Sequence, residues 1–515
     1  MRVTAFRPLA LLLPALWLAG CASSSEVPIT ILQLNDVYEI MPLRGGSEGG
    51  LARVATIEKN LRAENPHTYM MFAGDLFSPS ALGTARIDGV PLAGRQIVDV
   101  MNAVGLDFAT FGNHEFDIAA DQFFERLAES EFLWVSSNVR GADNAPFRNV
   151  PETHIFEVSG RRGHKVRVGL LGVTMEELPR PYVRYEEPIA AAVAKARELR
   201  PQVDVLIALT HLPLEQDIRL ARLAPEVDLI LGGHEHENVQ IWRGDQSLTP
   251  IMKADANARS IYIHDLVFDP RTRALRVQSE LRQVDETVTE DPEVAQLAER
   301  WVELAFDAFR KQGFEPGRVV AVSDEVLVAT ESAVRNEPTS VTRLITAAMR
   351  SAVPGSDAAI FNGGSIRMDD ELPAGPVTEY DVLRLLPFGG NIVAVDMKGE
   401  LLLRMLAQGV RNRGTGGFLH HDNIAPAAGG SWTLGNEAID PEATYTIAIS
   451  DYLMTGREVG LDFLTLDAPG VVAHEEKQDV RFALIEEMKR RWPATPAAAA
   501  PSGIRSDSGG FSAVR

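Results

Sequence analysis

Cysteine and long apolar segments are nearly missing from this chain of 515 residues. Cys21 is its single cysteine, so no disulfide can form within one chain and the folded core must hold without covalent cross-links. Beyond one apolar segment near the N-terminus, no stretch is long and apolar enough to span a bilayer. These two absences exclude a disulfide-stapled secreted domain and a membrane protein with several spans.

Positive charge is scarce as well. The chain has 50 Lys and Arg against 71 Asp and Glu, which gives a formal net charge of −21. Nucleic-acid polymers bind through dense Lys and Arg surfaces, so we expect no such partner. A small anionic substrate is compatible with this balance, because a pocket can be locally positive inside an acidic protein. The length predicts two folded domains.

The apolar segment near the N-terminus has the features of a signal peptide. Arg2 and Arg7 precede "PLALLLPALWLAG", which has the length of a signal-peptide core. Its final residues "LAGC", ending at Cys21, resemble the bacterial lipobox, in which the cysteine is acylated. We therefore expect a lipoprotein signal peptide over 1–20, a tether over 21–27, and a lipid at Cys21 that anchors the protein to the bacterial cell envelope, on the periplasmic face or the cell surface. The alternative is an ordinary signal peptide that happens to contain a cysteine.

Short apolar runs alternate with amphipathic stretches over residues 28–285, which predicts a layered α/β domain. The predicted helices include "LARVATIEKNLRAE" and "IAAAVAKARELRP". The predicted buried strands are "ITILQL", "TYMMFAG", "FATFG", "LWVSSNV", "VRVGLLGV", "VDVLIALTH" and "VDLILGGH".

A long amphipathic helix marks the boundary between the domains. We predict a linker over 286–318, whose helix begins at Pro292 with Asp291 as its N-cap. Residues 319–492 predict a second, smaller α/β domain. Its helices would include "TSVTRLITAAMRSA" and "TEYDVLRLL", its strands "AAIFN" and "TYTIAIS". Residues 493–515 lack a periodic apolar face and predict a disordered tail.

Polar side chains that bind metals follow several of the predicted strands, at the edge where open α/β sheets place their sites. Taken singly, an Asp there is typically a turn residue and a His a satisfied polar group. Imidazole, carboxylate and amide oxygen together are the ligands that a hydrolytic pair of divalent metal ions requires. The residues in question are Asp36, Asp75, Asn113, His114, His211, His234 and His236.

The motifs "AGD", "GNHEFD", "THL" and "GGHEH", in this order, resemble those of the calcineurin-like metallophosphoesterases. Within that group the chain is similar to the 5′-nucleotidase/UDP-sugar hydrolase family, up to the predicted tail. The resemblance implies a β-sandwich metallophosphoesterase domain flanked by helices and a smaller α/β (α+β) C-terminal domain. It also implies two divalent metal ions, with Mn, Zn or Co as candidates. Asp75 would bridge the ions, Asn113, His211 and His234 would complete one site, and Asp36 and His236 would serve the other.

The same resemblance implies a catalytic role for His114, which is not a metal ligand in the family. Its imidazole would stabilise the charge that builds up on the phosphoryl oxygens in the transition state. Asp117 would orient that imidazole and favour its cationic form. The alternative for Asp117 is a carboxylate that only stabilises a helix N-terminus.

Tyr38 departs from the family pattern. The family has Asp-x-His where this chain has Asp36-Val37-Tyr38. A phenol, with a reference pKa of about 10, is a poor metal ligand beside an imidazole. Three outcomes follow: a weaker first site completed by water, a tyrosinate on a harder metal, or the loss of one metal. We favour the first. A fourth outcome is that Tyr38 only packs near the site.

The second domain carries residues that match the family's substrate-binding positions. Asn362 and Arg367, the ends of "NGGSIR", suit bidentate phosphate capture together with Arg335. Two rings in "LPFGG" and "SDYLMTG" stand where the family sandwiches a nucleobase. Core packing is the alternative for both rings. The rings are Phe388 and Tyr452, and Asp462 is the candidate partner for the ribose hydroxyls.

These residues predict a phosphatase that hydrolyses nucleoside 5′-phosphates, with nucleotide sugars and nucleoside di- and triphosphates as further candidates. Cyclic-nucleotide and thiosulfonate hydrolysis are rival reactions on the same scaffold. A nucleotide-binding lipoprotein without turnover is a third alternative, because Tyr38 could mark a degenerate site. The remaining histidines match no ligand position, and we expect His420 and His421 to be solvent-exposed loop residues rather than a third metal site.

Overall fold

The computed structural model describes residues 26–160, 163–176 and 180–493. The expected signal peptide, the lipid attachment at Cys21 and all but the first residue of the predicted tail over 493–515 lie outside the described residues, so they stay predictions. Among the described residues, no helix combines the length and the apolar character that crossing a membrane requires.

The first half of the chain alternates strands and helices, as the sequence predicts. Its helices are α1 (Leu51–Glu64), α2 (Ala81–Thr84), α3 (Arg95–Val104), α4 (Ala120–Glu129), α5 (Pro188–Leu199) and α6 (Leu214–Leu223). Its strands are β1 (Val27–Leu34), β2 (Thr68–Ala73), β3 (Arg86–Ile87), β4 (Val90–Pro91), β5 (Phe108–Thr110), β6 (Leu133–Trp134), β7 (Val139–Gly141), β8 (Thr153–Ser159), β9 (Lys165–Thr174), β10 (Val183–Tyr185), β11 (Val205–His211), β12 (Leu229–Gly232), β13 (Val239–Arg243), β14 (Thr249–Lys253), β15 (Ser260–Asp269) and β16 (Ala274–Gln283).

Two six-stranded sheets of the described chain pack face to face and form a β-sandwich. Their strand orders are β16-β15-β1-β2-β5-β6 and β13-β14-β12-β11-β9-β8. Buried apolar side chains fill the space between them, for example Ile29 and Ile31 of β1 against Leu209 of β11 and Leu231 of β12. Burial of such aliphatic side chains is the main stabilising contribution of the domain. The predicted α/β β-sandwich is confirmed.

The central strands of the two sheets end at the same edge. In one sheet β1, β2, β5 and β6 run parallel. In the other, β9, β11, β12 and β14 run parallel. Parallel strands place their carboxyl ends together, and side chains that follow them therefore meet at one edge of the sandwich.

A long helix follows the sandwich. This helix, α7 (Pro292–Lys311), begins after Asp291, whose side chain accepts hydrogen bonds from the N–H groups of Glu293 and Val294. The predicted N-cap is therefore confirmed. Towards its C-terminal end, the ring of Phe306 lies 4.9 Å from that of Tyr380 in the second half of the chain. The helix thus contacts both halves of the protein.

The second half is a smaller unit of mixed strands and helices. Its helices are α8 (Glu331–Val334), α9 (Ser340–Ala352), α10 (Glu379–Leu385), α11 (Gly399–Arg411) and α12 (Val480–Arg491). Its strands are β17 (Val319–Ser323), β18 (Leu327–Val328), β19 (Ala358–Asn362), β20 (Glu371–Leu372), β21 (Gly375–Thr378), β22 (Asn391–Lys398), β23 (Leu419–Asp422), β24 (Ile424–Pro426), β25 (Trp432–Leu434), β26 (Glu437–Ala438), β27 (Thr444–Ser450) and β28 (Val471–Asp479). A five-stranded sheet of order β23-β19-β27-β22-β28 forms its centre.

The prediction of solvent-exposed loop positions for His420 and His421 is wrong. Both residues lie in β23, which pairs with β19 and aligns His420 with Phe361. The side chain of His420 is 2% exposed, and its Nε2 lies 2.7 Å from the carbonyl oxygen of Val334. Burial lowers the pKa of His420 to about 4. This histidine is a neutral structural residue.

A buried histidine in the sandwich makes stability depend on pH. His264 is 0% exposed, and its ring contacts the Ser279 hydroxyl and the Gln33 side-chain oxygen. Burial lowers the pKa of His264 from 6.5 to about 3. Below pH 6.5 the unfolded chain binds a proton that the folded chain does not, so this residue's contribution to stability is lost as the pH falls from 6.5 towards 3.

We predict that lowering the pH from 7.5 to 5 destabilises the wild-type protein by about 2 kcal/mol more than a His264→Gln variant. Urea unfolding of both proteins at the two pH values measures this difference. The same pH dependence in both proteins would contradict the assignment.

Candidate functional site

Three buried side chains at the shared edge of the sandwich form a cluster that could hold a metal ion. Asp36 follows β1, Asp75 follows β2 and His211 ends β11. One ligand atom from each lies within 4.8 Å of the others. His211 Nε2 is 3.2 Å from Asp75 Oδ2 and 3.8 Å from Asp36 Oδ1. Carboxylate and imidazole at this spacing are ligands of divalent transition metals.

The charges in this cluster favour a cation. Burial by itself would raise the pKa of Asp75 and of Asp36, but the neighbouring His211 holds both below their usual range. Burial would likewise lower the pKa of His211, yet the Asp75 and Asp36 carboxylates raise it to about 9. Two buried carboxylates therefore draw positive charge to the point between them.

Two further predicted ligands border the same point. The His234 ring centroid lies 5.5 Å from that of His211, and burial, with the nearby His211 charge, lowers the pKa of His234 to about 3. A neutral imidazole is the form that binds metals. Among the described residues, Asn113 Oδ1 is a buried atom without a hydrogen-bond partner. Such an unpaired group is rare, and a bound cation would satisfy it.

The two remaining predicted residues approach from the opposite side. The hydroxyl oxygen of Tyr38 lies 3.1 Å from Asp75 Oδ2 and 3.1 Å from His236 Nε2. His236 Nε2 is also 3.3 Å from Asp36 Oδ1. Tyr38 is 4% exposed. Its hydroxyl is therefore inside the cluster, and the alternative that Tyr38 only packs near the site is wrong.

The backbone at these strand ends is strained. Asp36, Asp75, His234 and His236 have φ angles of 51°, 67°, 92° and 60°. Non-glycine residues seldom adopt this left-handed region, and each costs on the order of 1–3 kcal/mol. The fold carries this cost at the four positions that bring carboxylates and imidazoles together, which is typical of a functional site.

Two glycines of the motifs permit this close approach. A Cβ on Gly112, in "FGN", would collide with Asp75 Oδ1. A Cβ on Gly233, in "GGH", would lie 2.5 Å from the carbonyl oxygen of Ala73 and 2.8 Å from Asp36 Oδ2. A larger residue at either position would displace a carboxylate of the cluster.

Glu115 supports the cluster, a role that the sequence motifs did not predict. It is 0% exposed, and its carboxylate accepts hydrogen bonds from the N–H groups of Asp75, Leu76, Phe77 and Gly112. Its place inside "GNHEFD" was the only signal available in the sequence. Glu115 fixes the two turns that carry Asp75 and Asn113.

Lys253, at the end of β14, is a second supporting residue that sequence reasoning missed. It is 0% exposed and donates to the carbonyl oxygens of Leu212 (2.7 Å) and Gly233 (2.9 Å), which adjoin the two imidazole ligands. Its ammonium also forms ion pairs with Asp217 and Glu235. Lys253 therefore ties together the loops after β11 and β12.

His114 and Asp117 form a pair beside the cluster. His114 Nδ1 lies 2.6 Å from Asp117 Oδ2, and the backbone N–H of His114 donates to Asp75 Oδ1 at 2.8 Å. Arg180 binds the other oxygen of Asp117 at 2.9 Å. Burial would lower the pKa of His114, but the Asp75 and Asp117 carboxylates raise it. Because Nδ1 is engaged, Nε2 is the ring nitrogen available to a substrate.

The second half of the chain faces this pair across a cleft. The positive charge of Arg367 acts on both His114 and Asp117, and its guanidinium lies 5.8 Å from the ring centre of Phe388. Phe388 is 54% and Tyr452 39% exposed. The core-packing alternative is therefore wrong for both rings.

Two cavities lie in the cleft. One of about 430 Å³ is bordered by Asp117 and Phe388. The other, of about 350 Å³, is bordered by His234, His236 and Arg335. Each is lined by residues from both halves of the chain. Two of the predicted metal ligands and the predicted phosphate-binding Arg335 thus border the same cavity.

The ribose contact of Asp462 stays a prediction. Asp462 is exposed, and a second carboxylate of the same loop, Glu458, is 7% exposed and accepts a hydrogen bond from Asn362 Nδ2 at 3.0 Å. The loop after Tyr452 turns so that Glu458, not Asp462, lies beside "NGGSIR". Because the spacing of this loop is irregular, the sequence did not predict which of its carboxylates contacts Asn362.

Comparison with known proteins identifies both halves of the chain. Residues 29–238 match the calcineurin-like phosphoesterase family, and residues 319–465 match the 5′-nucleotidase C-terminal domain. The chain belongs to the 5′-nucleotidase family of calcineurin-like phosphoesterases. Members of this family are metallophosphoesterase hydrolases, as the motifs predicted.

Three relatives illustrate the range of the family. The trifunctional nucleotide phosphoesterase protein YfkN of Bacillus subtilis is 26% identical over 493 residues, which cover 83% of this chain but 32% of that protein. This chain therefore spans about a third of that relative's length. The 5′-nucleotidase of Vibrio cholerae is 25% identical, over 88% of this chain and 91% of the relative. The structure of a 5′-nucleotidase precursor from Thermus thermophilus shares the fold, with a TM-score of 0.75, 22% identity, and coverage of 90% of this chain and 97% of that one.

We predict that a Lys253→Met variant of this 5′-nucleotidase family member loses about 3–5 kcal/mol of unfolding free energy, because Asp217 and Glu235 lose their buried partner. Lys165→Met is the matched control, since Lys165 pairs with Glu157 on the surface and should leave stability unchanged. Urea unfolding measures both variants. Equal effects would show that Lys253 does not hold the ligand loops.

Proposed function

We propose that the protein hydrolyses nucleoside 5′-phosphates in the cleft between its two domains. One observation carries this proposal: the cluster of Asp36, Asp75 and His211 stands beside His114 on one wall, and arginines with exposed aromatic rings stand on the other. A phosphate ester with a flat leaving group matches this combination. Nucleotide sugars and nucleoside di- and triphosphates stay further candidates, since they present the same groups.

A divalent metal centre fits the donors present, because buried carboxylates and neutral imidazole surround the unpaired oxygen of Asn113. Mn²⁺, Zn²⁺ and Co²⁺ suit such ligands. When bound, the metal would polarise the phosphoryl oxygens and lower the pKa of a water molecule. In the overall reaction the water oxygen bonds to phosphorus, the bond from phosphorus to the 5′ oxygen breaks, and the nucleoside leaves as an alcohol after gaining a proton.

The protein's own side chains would hold the phosphate and stabilise its charge. Asp117 fixes the ring of His114, so Nε2 can donate a hydrogen bond to a non-bridging phosphoryl oxygen as negative charge develops there. Arg367 would bind the phosphate from the opposite wall, where a guanidinium offers two parallel donors. Arg335 would serve the neighbouring cavity.

Two exposed aromatic rings support a nucleoside as the proposed leaving group. Phe388 and Tyr452 present exposed faces on which a nucleobase could stack. Glu458, bonded to Asn362, would accept hydrogen bonds from ribose hydroxyls. Thiosulfonates lack a flat base, and a cyclic nucleotide lacks the free phosphate dianion that the guanidinium of Arg367 would bind.

The domain limits, the lipid at Cys21 and the location at the cell envelope stay proposals that rest on the sequence. Metabolic labelling with a radioactive fatty acid tests the anchor: the wild-type protein should incorporate label and a Cys21→Ser variant should not.

We predict that His114→Ala lowers the turnover of AMP by at least about 100-fold while the metal content stays unchanged, because the imidazole acts on the phosphate and not on the metal. The control is His164→Ala, which changes an exposed histidine that is not among the predicted site residues. Phosphate release and metal analysis on the same samples measure both effects. Full activity in His114→Ala would refute this role, and a wild-type protein that binds AMP without metal-dependent hydrolysis would favour the non-catalytic alternative.

We predict that Phe388→Ala and Tyr452→Ala each raise the KM for AMP about tenfold, as the loss of one stacked ring implies. Hydrolysis of ribose 5-phosphate, which has no base, should change little. Trp242→Ala removes an aromatic ring that is 46% exposed on β13 and serves as the control. Equal losses on both substrates would mean that the rings do not bind a base.

A further inference from the structure

The resemblance to the family implies two metal ions, but the structure provides for them unequally. On one side, Asn113 Oδ1 is buried and has no hydrogen-bond partner among the described residues, and His211 Nε2 faces the carboxylates of Asp75 at 3.2 Å and Asp36 at 3.8 Å. His211 Nδ1 is fixed by the carbonyl oxygen of Ala73 at 2.8 Å, so its Nε2 points to the cluster. This side therefore presents buried ligand atoms to which a cation could bind.

On the other side, the donors already have partners. Asp36 Oδ2 accepts hydrogen bonds from Asn35 Nδ2 at 2.8 Å and from the backbone N–H of His234 at 2.9 Å. His236 Nε2 lies 3.1 Å from the Tyr38 hydroxyl and 3.3 Å from Asp36 Oδ1. No donor on this side is left unpaired in the described structure.

The Tyr38 hydroxyl also takes up the space that an ion would need. It lies 3.1 Å from both Asp75 Oδ2 and His236 Nε2, the two ligands that an ion on this side would have to join at about 2.0–2.2 Å each. The ring cannot swing away unless its neighbours move, because Tyr38 is only 4% exposed.

The second ring nitrogen of His236, Nδ1, contacts a carboxylate of the second domain. This nitrogen lies 2.6 Å from Asp369 Oδ2, and Asp369 is itself fixed by the backbone N–H of Glu331 at 2.6 Å. Both ring nitrogens of His236 thus have partners in the protein. The contact with Asp369 fixes the ring so that Nε2 faces the Tyr38 hydroxyl and Asp36.

We propose that this protein holds one divalent ion tightly, in the site of Asp75, Asn113, His211 and His234, and that the Tyr38 hydroxyl replaces the second ion by joining Asp36, Asp75 and His236. The proposal deepens the function proposed above, because it concerns the same centre. The sequence left three metal arrangements open for Tyr38. The proposal selects one of them, the loss of one metal.

Metal counting tests the proposal without reference to activity. The full protein is stripped with a chelator, loaded with Mn²⁺, freed of excess ion, and analysed by elemental analysis and electron paramagnetic resonance. We expect about one ion per chain with the spectrum of an isolated Mn²⁺. About two ions per chain with an exchange-coupled spectrum would overturn the proposal, whether the second ion is bound through water or through a tyrosinate.

A matched pair of variants shows which side holds the ion. His234→Ala should weaken Mn²⁺ binding at least about tenfold, whereas His236→Ala, two residues away, should leave it unchanged. The reverse pattern, or equal losses, would overturn the assignment. Both variants keep Tyr38 and so remain informative if changes at that position prevent folding.

Tyr38→His is the complementary test, because an imidazole can ligate where the hydroxyl stands. We expect this variant to bind about one more Mn²⁺ per chain and to show the coupled spectrum. A count that stays at one would overturn the proposal. These outcomes are separate from those for the function: a protein with one ion that fails to hydrolyse AMP refutes the function alone, and an active protein with two ions refutes this inference alone.

Discussion

Two buried carboxylates, Asp36 and Asp75, impose the constraint on which the rest of the site depends. Both lie within reach of His211 in a region almost closed to water, where an unpaired charge is costly. Neighbouring imidazoles and backbone N–H groups compensate the charge of these carboxylates, and a cation could bind between them. Strained φ angles and two crowded glycines are the local consequences. The contacts at the strand ends therefore compensate the buried charge of the two carboxylates.

The second domain is joined to this charged region by polar contacts rather than by a loose linker alone. Glu39, just beyond the first ligand, accepts hydrogen bonds from Arg384 at 3.1 Å and from Tyr380 at 3.3 Å. Arg44 binds Asp370 at 2.9 Å. Arg384 and Glu39 are 7% and 8% exposed, so separating them would leave buried charges unpaired. Any opening of the cleft has to break these contacts together with the one between His236 and Asp369.

Family membership and site chemistry answer different questions in this protein. Relatives that share about a quarter of their residues match most of this chain, but a scaffold hosts different reactions through a few side chains. Tyr38, shortly after β1, is such a side chain, because it places a hydroxyl where the motif resemblance implies an imidazole. The exposed rings and arginines of the facing domain are a second set, and they support the proposed leaving group.

The sequence by itself determined the buried strands, α7 with its Asp291 cap, and the residues at each strand end, because apolar periodicity and glycine-flanked motifs are local signals. It predicted His114 with Asp117 for the same reason, since three residues separate them. Only the tertiary structure decided that Lys253 and Glu115 hold the ligand loops, that Glu458 and not Asp462 lies beside Asn362, and that His420 is buried. Each of these depends on which distant backbone or side chain a residue meets. Spacing along the chain carries no information about such contacts, so folding alone selects them.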